Sequence, residues 1–181
     1  MEGIKKLPSM GFGESVKTVL ANLTNFNGRA RRSELWWYWV AYAVVAIIAG
    51  LTLSGFPLVL GIISLVLQLS LWAVTVRRLH DRGHSGWWVT AAILIGVFAN
   101  LYIAGSGYYE IMSSVNPDIE EATKVLSSPV FALTGLVSFI MNITIFVFCV
   151  RDGKPEANKY GPSPKYIPTD EYIKQVTAEQ D

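Results

Sequence analysis

Charged residues are absent from three long stretches of the sequence, and the lengths of these stretches predict the fold. Residues 35–76, 83–109 and 125–150 contain no Asp, Glu, Lys or Arg. A bilayer core about 30 Å thick is crossed by about 20 helical residues, each adding about 1.5 Å. The first stretch is therefore long enough for two membrane spans, and each of the others is long enough for one.

A break within the first stretch separates its two spans. Ser54 and Gly55 favour a tight turn, and Pro57 suits the first turn of a helix. A buried bundle of a soluble protein would need a polar face on each helix, and these segments are apolar all round. The pattern predicts an all-α, polytopic membrane protein whose four transmembrane helices occupy residues 35–54, 56–76, 87–105 and 129–150.

Two short amphipathic helices are predicted outside the spans. In the N-terminal arm, residues 1–34, apolar side chains recur at helical spacing within 14–23, which predicts a helix lying on the inner leaflet. A plain solvated arm is the alternative. In the outer loop, Asn116 is predicted to cap a helix that has Pro117 at its first position and runs to residue 126.

The charge distribution predicts how the chain is oriented. The sequence is 51% hydrophobic and 16% charged, whereas a soluble domain usually carries about 25% charged residues. Four spans place the arm, the 77–86 loop and the tail at residues 151–181 on one side, together with every Lys and Arg except Lys124. The positive-inside rule then predicts that both termini are cytoplasmic. The tail is predicted either to dock on this face or to be disordered.

Ionisable residues are concentrated in "RRLHDRGHSGWW", residues 77–88, at the predicted cytosolic corner between the second and third helices. A structural interpretation pairs Asp81 with Arg29 or Arg32, ends the second helix at Gly83 and caps the third with Ser85. A second interpretation is anion recognition, because arginine forks match phosphate. The residues of this candidate corner are Arg29, Arg32, Glu34, Arg77, Arg78, His80, Asp81 and Ser85.

Metal binding and serine catalysis are weaker interpretations of the same segment. His80, Asp81 and His84 are the available metal ligands, and the neighbouring arginines repel a cation. "GHSG" matches only a short signature of intramembrane serine proteases, and both histidines lie too near Ser85 in the chain to come from another helix. We therefore predict no catalytic residue, no metal and no cofactor.

Polar residues within the predicted spans are few. They are Gln68, Asn100 and Asn142. Gln68 and Asn142 are predicted to lie at similar depth and to hydrogen bond with each other, because an unpaired amide in hydrocarbon is costly. We interpret these side chains as packing devices rather than as a transport path.

Three motifs together carry a family resemblance. They are "FNGRARRSELWW" (26–37), "RRLHDRGHSGWW" (77–88) and "NKYGPSP" (158–164). This combination resembles the YhaH-like family of small bacterial inner-membrane proteins, a family of unknown function, over about residues 20–165. The resemblance implies a multi-pass protein of the bacterial inner membrane, and it supplies no activity.

These observations favour a non-enzymatic interaction or regulatory module whose cytosolic face is organised by the two arginine-rich motifs. Besides the lipid bilayer, the predicted partner is an anionic lipid headgroup or an acidic protein segment, and no nucleic acid is expected. The alternative is a small-solute transporter or channel subunit. That alternative requires a homo-oligomer, because four short helices enclose little room for a pore. An enzyme acting on lipid phosphates is a third class.

Overall fold

The computed structural model describes residues 4–170 of the chain, and most of them are helical. Residues 171–181 of the predicted tail lie outside this range. The elements in chain order are β1 (Ile4–Lys6), α1 (Phe12–Ala21), α2 (Arg32–Thr52), α3 (Pro57–Asp81), α4 (Trp87–Gly105), α5 (Tyr108–Ser113), α6 (Ile119–Leu126), α7 (Pro129–Val150) and β2 (Tyr166–Pro168). Within the described residues, α2, α3, α4 and α7 are long and apolar enough to cross a membrane, as predicted.

Two helix ends differ from the sequence prediction by three residues or more. Helix α2 begins at Arg32 rather than at residue 35, because Glu34 accepts a hydrogen bond from the Arg31 N–H at 2.9 Å and closes the first turn. Helix α3 continues to Asp81 rather than ending at residue 76. Residues 77–81 of the predicted 77–86 loop are therefore helical, and only residues 82–86 connect α3 to α4.

Gly83 ends α3, as the structural interpretation of the sequence expects. Its φ is +83°, a left-handed conformation that glycine adopts readily. The Gly83 N–H donates to the His80 carbonyl at 2.9 Å, and the His84 N–H donates to the Leu79 carbonyl at 3.0 Å. This pair of bonds is a Schellman motif, and it fixes the backbone of Gly83 and His84.

The segments outside the spans contain more structure than the sequence predicts. Helix α1 packs against α2 and α3 and buries Val19, and its amphipathic placement on a leaflet stays a prediction. The predicted cap of the outer helix is wrong: Asp118 caps α6 by accepting from the Glu121 N–H at 3.0 Å. The reason is that a carboxylate directly before the first turn both caps the helix and suits its dipole.

The N-terminal segment and the tail pair with each other. Strand β1 runs antiparallel to β2, with Ile4 opposite Pro168 and Lys6 opposite Tyr166. The Leu7 N–H continues the ladder to the Lys165 carbonyl at 2.8 Å. Strands this short show no alternating pattern, so the sequence could not predict them. Of the two alternatives for the tail, docking is the one observed for its described residues.

The chain forms two compact units. The first comprises Met1–Gly86 and Phe148–Asp181, and it therefore includes α1, α2, α3 and the tail. The second comprises Trp87–Val147, with α4, α5, α6 and most of α7. Within the second unit, the Tyr102 hydroxyl donates to Ser128 at 2.9 Å. All the predicted residues of the candidate corner lie in the first unit.

We expect Gly83→Ala to lower the free energy of unfolding by about 1–2 kcal/mol, because a Cβ disfavours the left-handed conformation that ends α3. Gly61→Ala is the matched control within the same helix, since a Cβ there meets nothing within 4 Å. Unfolding of the purified protein in mixed detergent–SDS micelles measures both changes. Equal stability of the two variants would contradict a structural role for the turn.

Candidate functional site

A buried ion cluster lies where α2, α3 and the tail meet, and Asp81 is at its centre. Arg29 Nε donates to Asp81 Oδ1 at 2.8 Å, and Arg78 Nη1 donates to Oδ2. The side chains of Arg29, Arg78 and Asp81, which we call the Asp81 cluster, are at most 3% exposed. The sequence left Arg29 and Arg32 open as partners of Asp81, and the structure selects Arg29.

The guanidinium of Arg29 binds the backbone of the tail. Its Nη2 donates to the Lys154 carbonyl at 2.5 Å, and its Nη1 donates to the Glu156 carbonyl at 2.8 Å and the Gly161 carbonyl at 3.2 Å. Three carbonyls from one loop thus converge on a single side chain. Because charge-assisted hydrogen bonds are the stronger ones, Arg29 holds this loop in a defined conformation.

Two other arginines cap the C-terminal end of α7, whose residues from Phe148 onward belong to the first unit. Arg78 donates to the carbonyls of Cys149, at 3.1 Å, and Arg151. Arg32 donates to the Val150 carbonyl at 3.0 Å. The last carbonyls of a helix have no partner within it and carry partial negative charge. The arginines of the first two motifs therefore supply the missing donors.

Gly153 allows the tail to approach Asp81 closely. A Cβ placed at Gly153 would overlap the Asp81 carboxylate, so any other residue forces the loop or the carboxylate to move. The Lys154 N–H also points to the Asp81 carbonyl, at 3.4 Å. Sequence reasoning missed Gly153, and its only signal is its position three residues after the end of a predicted span.

His80 is a packing residue in this arrangement. Its ring stacks on Tyr160 with centroids 3.7 Å apart and planes 5° apart, and its Nδ1 lies 3.1 Å from the Gly28 carbonyl. Asn158 Nδ2 donates to the His80 carbonyl at 2.9 Å. Asn158 and Tyr160 belong to the third motif, so the structure brings all three motifs together. Within residues 4–170, no group of three His, Cys, Asp or Glu side chains is placed to hold a metal ion.

Glu34 and Arg77 form a second buried pair beside the Asp81 cluster. Arg77 Nη1 lies 3.6 Å from Glu34 Oε2, and each side chain is 5% exposed. The neighbouring Arg31, which the sequence prediction omitted, donates to the carbonyls of Pro164 at 2.5 Å and Pro8 at 2.9 Å. Arg31 thus joins the N-terminal arm to the tail by the same chemistry as Arg29.

Ser85 is half-buried and is separated by Gly86 from Trp87, the first residue of α4; its capping role stays a prediction.

The predicted intramembrane amides find partners close to them. Gln68 accepts a hydrogen bond from Tyr42 at 3.2 Å. Asn100 donates to the Gly96 carbonyl and Asn142 donates to the Ser138 carbonyl, each at 2.8 Å and one turn back in its own helix. The hydrogen bond predicted between Gln68 and Asn142 stays a prediction.

Comparison with known proteins agrees with the family resemblance. A family model described as protein of unknown function (DUF805) matches residues 23–162. The inner membrane protein YhaH of Escherichia coli strain K12 is 27% identical over 158 residues, which cover 83% of this chain and 95% of that protein. The inner membrane protein YhaI of the same strain is 26% identical over 153 residues, covering 82% and 93%. No solved structure matches.

We expect Asp81→Asn to lower the free energy of unfolding by about 3–5 kcal/mol, because it leaves two buried arginines without a counter-charge. Asp152→Asn is the matched control. Asp152 also contacts two cations, Arg32 and Lys165, but its side chain is 50% exposed, so its loss costs about 0–1 kcal/mol. Unfolding in mixed micelles measures both. A loss below about 1 kcal/mol for Asp81→Asn would contradict the central role of this carboxylate.

We expect Gly153→Ala to displace the tail loop and to lower the free energy of unfolding by about 1–3 kcal/mol, because the new Cβ overlaps the Asp81 carboxylate. Limited trypsin digestion should then cleave the tail at Lys159 faster than in the unmodified protein. Gly11→Ala is the control, since a Cβ there meets nothing within 4 Å. Equal cleavage rates in the two variants would show that the loop does not depend on this contact.

Proposed function

Because the chain belongs to the DUF805 family of proteins of unknown function and its relatives are inner-membrane proteins, we propose that it is a non-enzymatic interaction or regulatory module of the inner membrane. The observation that carries this proposal is the binding of the tail backbone by Arg29 and Arg78. Those bonds turn a polar, turn-rich tail into an ordered surface beside the ends of the apolar helices. An ordered surface is what a binding partner needs.

The proposed orientation places this surface in the cytoplasm. Pairing of β1 with β2 joins the N-terminal arm to the tail, so both segments share one face. That face carries nearly all of the basic residues, whereas Lys124 lies in the outer loop. The positive-inside rule therefore supports a cytoplasmic position for both termini.

The Asp81 cluster acts in this proposal as the support of the surface rather than as its binding site. Its two arginines are buried, and their hydrogen bonds go to Asp81 and to backbone carbonyls. A ligand at the predicted corner would have to displace these partners. Anionic lipids or an acidic protein segment are therefore expected to contact the exposed cations around the cluster.

The proposed orientation predicts the labelling of single cysteines. In a Cys149→Ala background, Lys159→Cys should react with a membrane-impermeant maleimide only after intact spheroplasts are made permeable. Glu120→Cys, in the exposed outer helix, should react before that. The opposite pattern would place the tail outside the cytoplasm and would overturn the proposal.

The proposed interaction surface is tested by photo-crosslinking in living cells. A photo-reactive amino acid at Lys159 should yield a discrete adduct, and Gly153→Ala should abolish it, because that change displaces the loop. The same probe at Val115, which is 96% exposed in the outer loop, is the control for random collisions. The adduct's mass separates a second copy of the chain from another protein. The absence of a Gly153-dependent adduct at Lys159 and at other exposed tail positions would contradict the proposal.

A further inference from the structure

Several basic side chains remain available once the buried arginines are bound to the tail. Arg151 and Lys154 are exposed, and within residues 4–170 neither side chain forms an ion pair. Arg82 uses Nη1 to bind the Asp152 carbonyl at 2.6 Å, whereas its Nε is buried without an acceptor. These three cations therefore retain hydrogen-bond donors that the described part of the chain does not satisfy.

Hydrogen bonds bring the three cations to the turn that carries His84: Arg82 Nη1 donates to the Asp152 carbonyl at 2.6 Å, and the Lys154 N–H points to the Asp81 carbonyl at 3.4 Å. The His84 ring stacks on Phe148 with centroids 3.9 Å apart and planes 15° apart. Burial lowers the pKa of His84, and so do the positive charges of Arg82, Lys154 and Arg151, which lie near the ring. We call these residues, Arg82, His84, Arg151 and Lys154, the His84 cluster.

The neighbouring carboxylates are engaged elsewhere. Asp81 is held between Arg29 and Arg78 inside the protein. Asp152 bonds to Lys165 Nζ at 2.6 Å, and this bond lowers its pKa. Like charges this close to one another repel unless an anion separates them. Within residues 4–170, no carboxylate forms an ion pair with Arg82, Arg151 or Lys154, whereas Asp81 pairs with both arginines of its own cluster.

The position of the His84 cluster matches the height of lipid phosphates. Arg82 directly follows the last residue of α3, and Arg151 directly follows the last residue of α7. Both helices are long and apolar enough to span the bilayer, so their charged ends lie at its surface.

The His84 cluster is also preorganised. Arg78 holds the Arg151 carbonyl, Arg29 holds the Lys154 carbonyl, and the backbone N–H groups of Arg82 and His84 both donate to the Leu79 carbonyl at 3.0 Å. The backbone that carries these side chains therefore does not have to be ordered by the ligand, which lowers the cost of binding. The tail backbone bound by Arg29 and Arg78 and the turn at Gly83 together position the residues of this site.

We propose that the His84 cluster binds the phosphate group of an anionic phospholipid. Arginine and lysine donate charge-assisted hydrogen bonds to phosphate oxygens, and a neutral histidine ring adds one N–H donor. The inner leaflet is rich in anionic lipid, and the cations meet it at the correct height. This inference rests on the proposed cytoplasmic orientation, and it assigns the binding to residues other than the buried arginines of the predicted corner.

The test is native mass spectrometry of the full-length protein in detergent, titrated with phosphatidylglycerol. We expect the double variant Arg151→Gln, Lys154→Gln to bind this lipid at least about tenfold more weakly, because each cation near the surface accounts for about a fivefold change. Lys6→Gln, Lys124→Gln is the control of equal charge, since it removes two other exposed cations, one in β1 and one in the outer helix, and its affinity should change less than about twofold. Unfolding measurements on both variants show that the fold is intact.

Three outcomes would overturn the inference. Unchanged phosphatidylglycerol binding in the Arg151, Lys154 variant would show that the cluster does not bind the lipid phosphate. Equal binding of zwitterionic phosphatidylcholine would show that the cluster does not select an anionic phospholipid. Displacement of the lipid by inorganic phosphate at millimolar concentration would show that the ligand is the soluble ion. None of these results bears on the cysteine labelling, so a failure of this inference is distinguishable from a failure of the proposed orientation.

Discussion

The burial of one carboxylate between two arginines is the constraint on which the rest of the first unit depends. A guanidinium carries five N–H donors, and Asp81 can satisfy only part of those of Arg29 and Arg78. Buried donors without acceptors cost free energy, so further acceptors have to come from the backbone. The last turn of α7 supplies the Cys149 carbonyl, and the tail supplies the carbonyls of Arg151, Lys154, Glu156 and Gly161. The three sequence motifs are needed together because each supplies donors or acceptors for these hydrogen bonds: Arg29 lies in the first motif, Arg78 and Asp81 in the second, and Gly161 in the third.

The spans could be predicted from the sequence because the bilayer imposes a length and excludes charge. The same rule misplaced the end of α3, because it treats the first charged residue as the end of a helix. Arg77, Arg78 and Asp81 continue the helix, since their charges are neutralised within the protein rather than by water. A rule based on exposure to lipid or water does not describe charges that are paired internally.

The candidate site was predicted in its residues but not in its contacts. Arginine and aspartate can be recognised in a sequence. Every residue has a backbone carbonyl, so the sequence does not show which carbonyls bind Arg29 and Arg78. The role of Gly153 is equally hard to recognise in the sequence, because this residue acts by having no side chain beside Asp81. An arginine-rich corner therefore looks like an anion site in sequence even where its partners are carbonyl oxygens. In the sequence, only the turn residues of the third motif indicate that the tail folds back onto the rest of the protein.

The order in which the chain is synthesised gives the contacts of the tail a further meaning. Arg29, Arg78 and Asp81 leave the ribosome well before residues 149–161, whose carbonyls complete their hydrogen bonding. Until then, the guanidinium groups of Arg29 and Arg78 lack these backbone acceptors. The hydrogen bonding of the Asp81 cluster therefore cannot be completed before residue 161 has been synthesised.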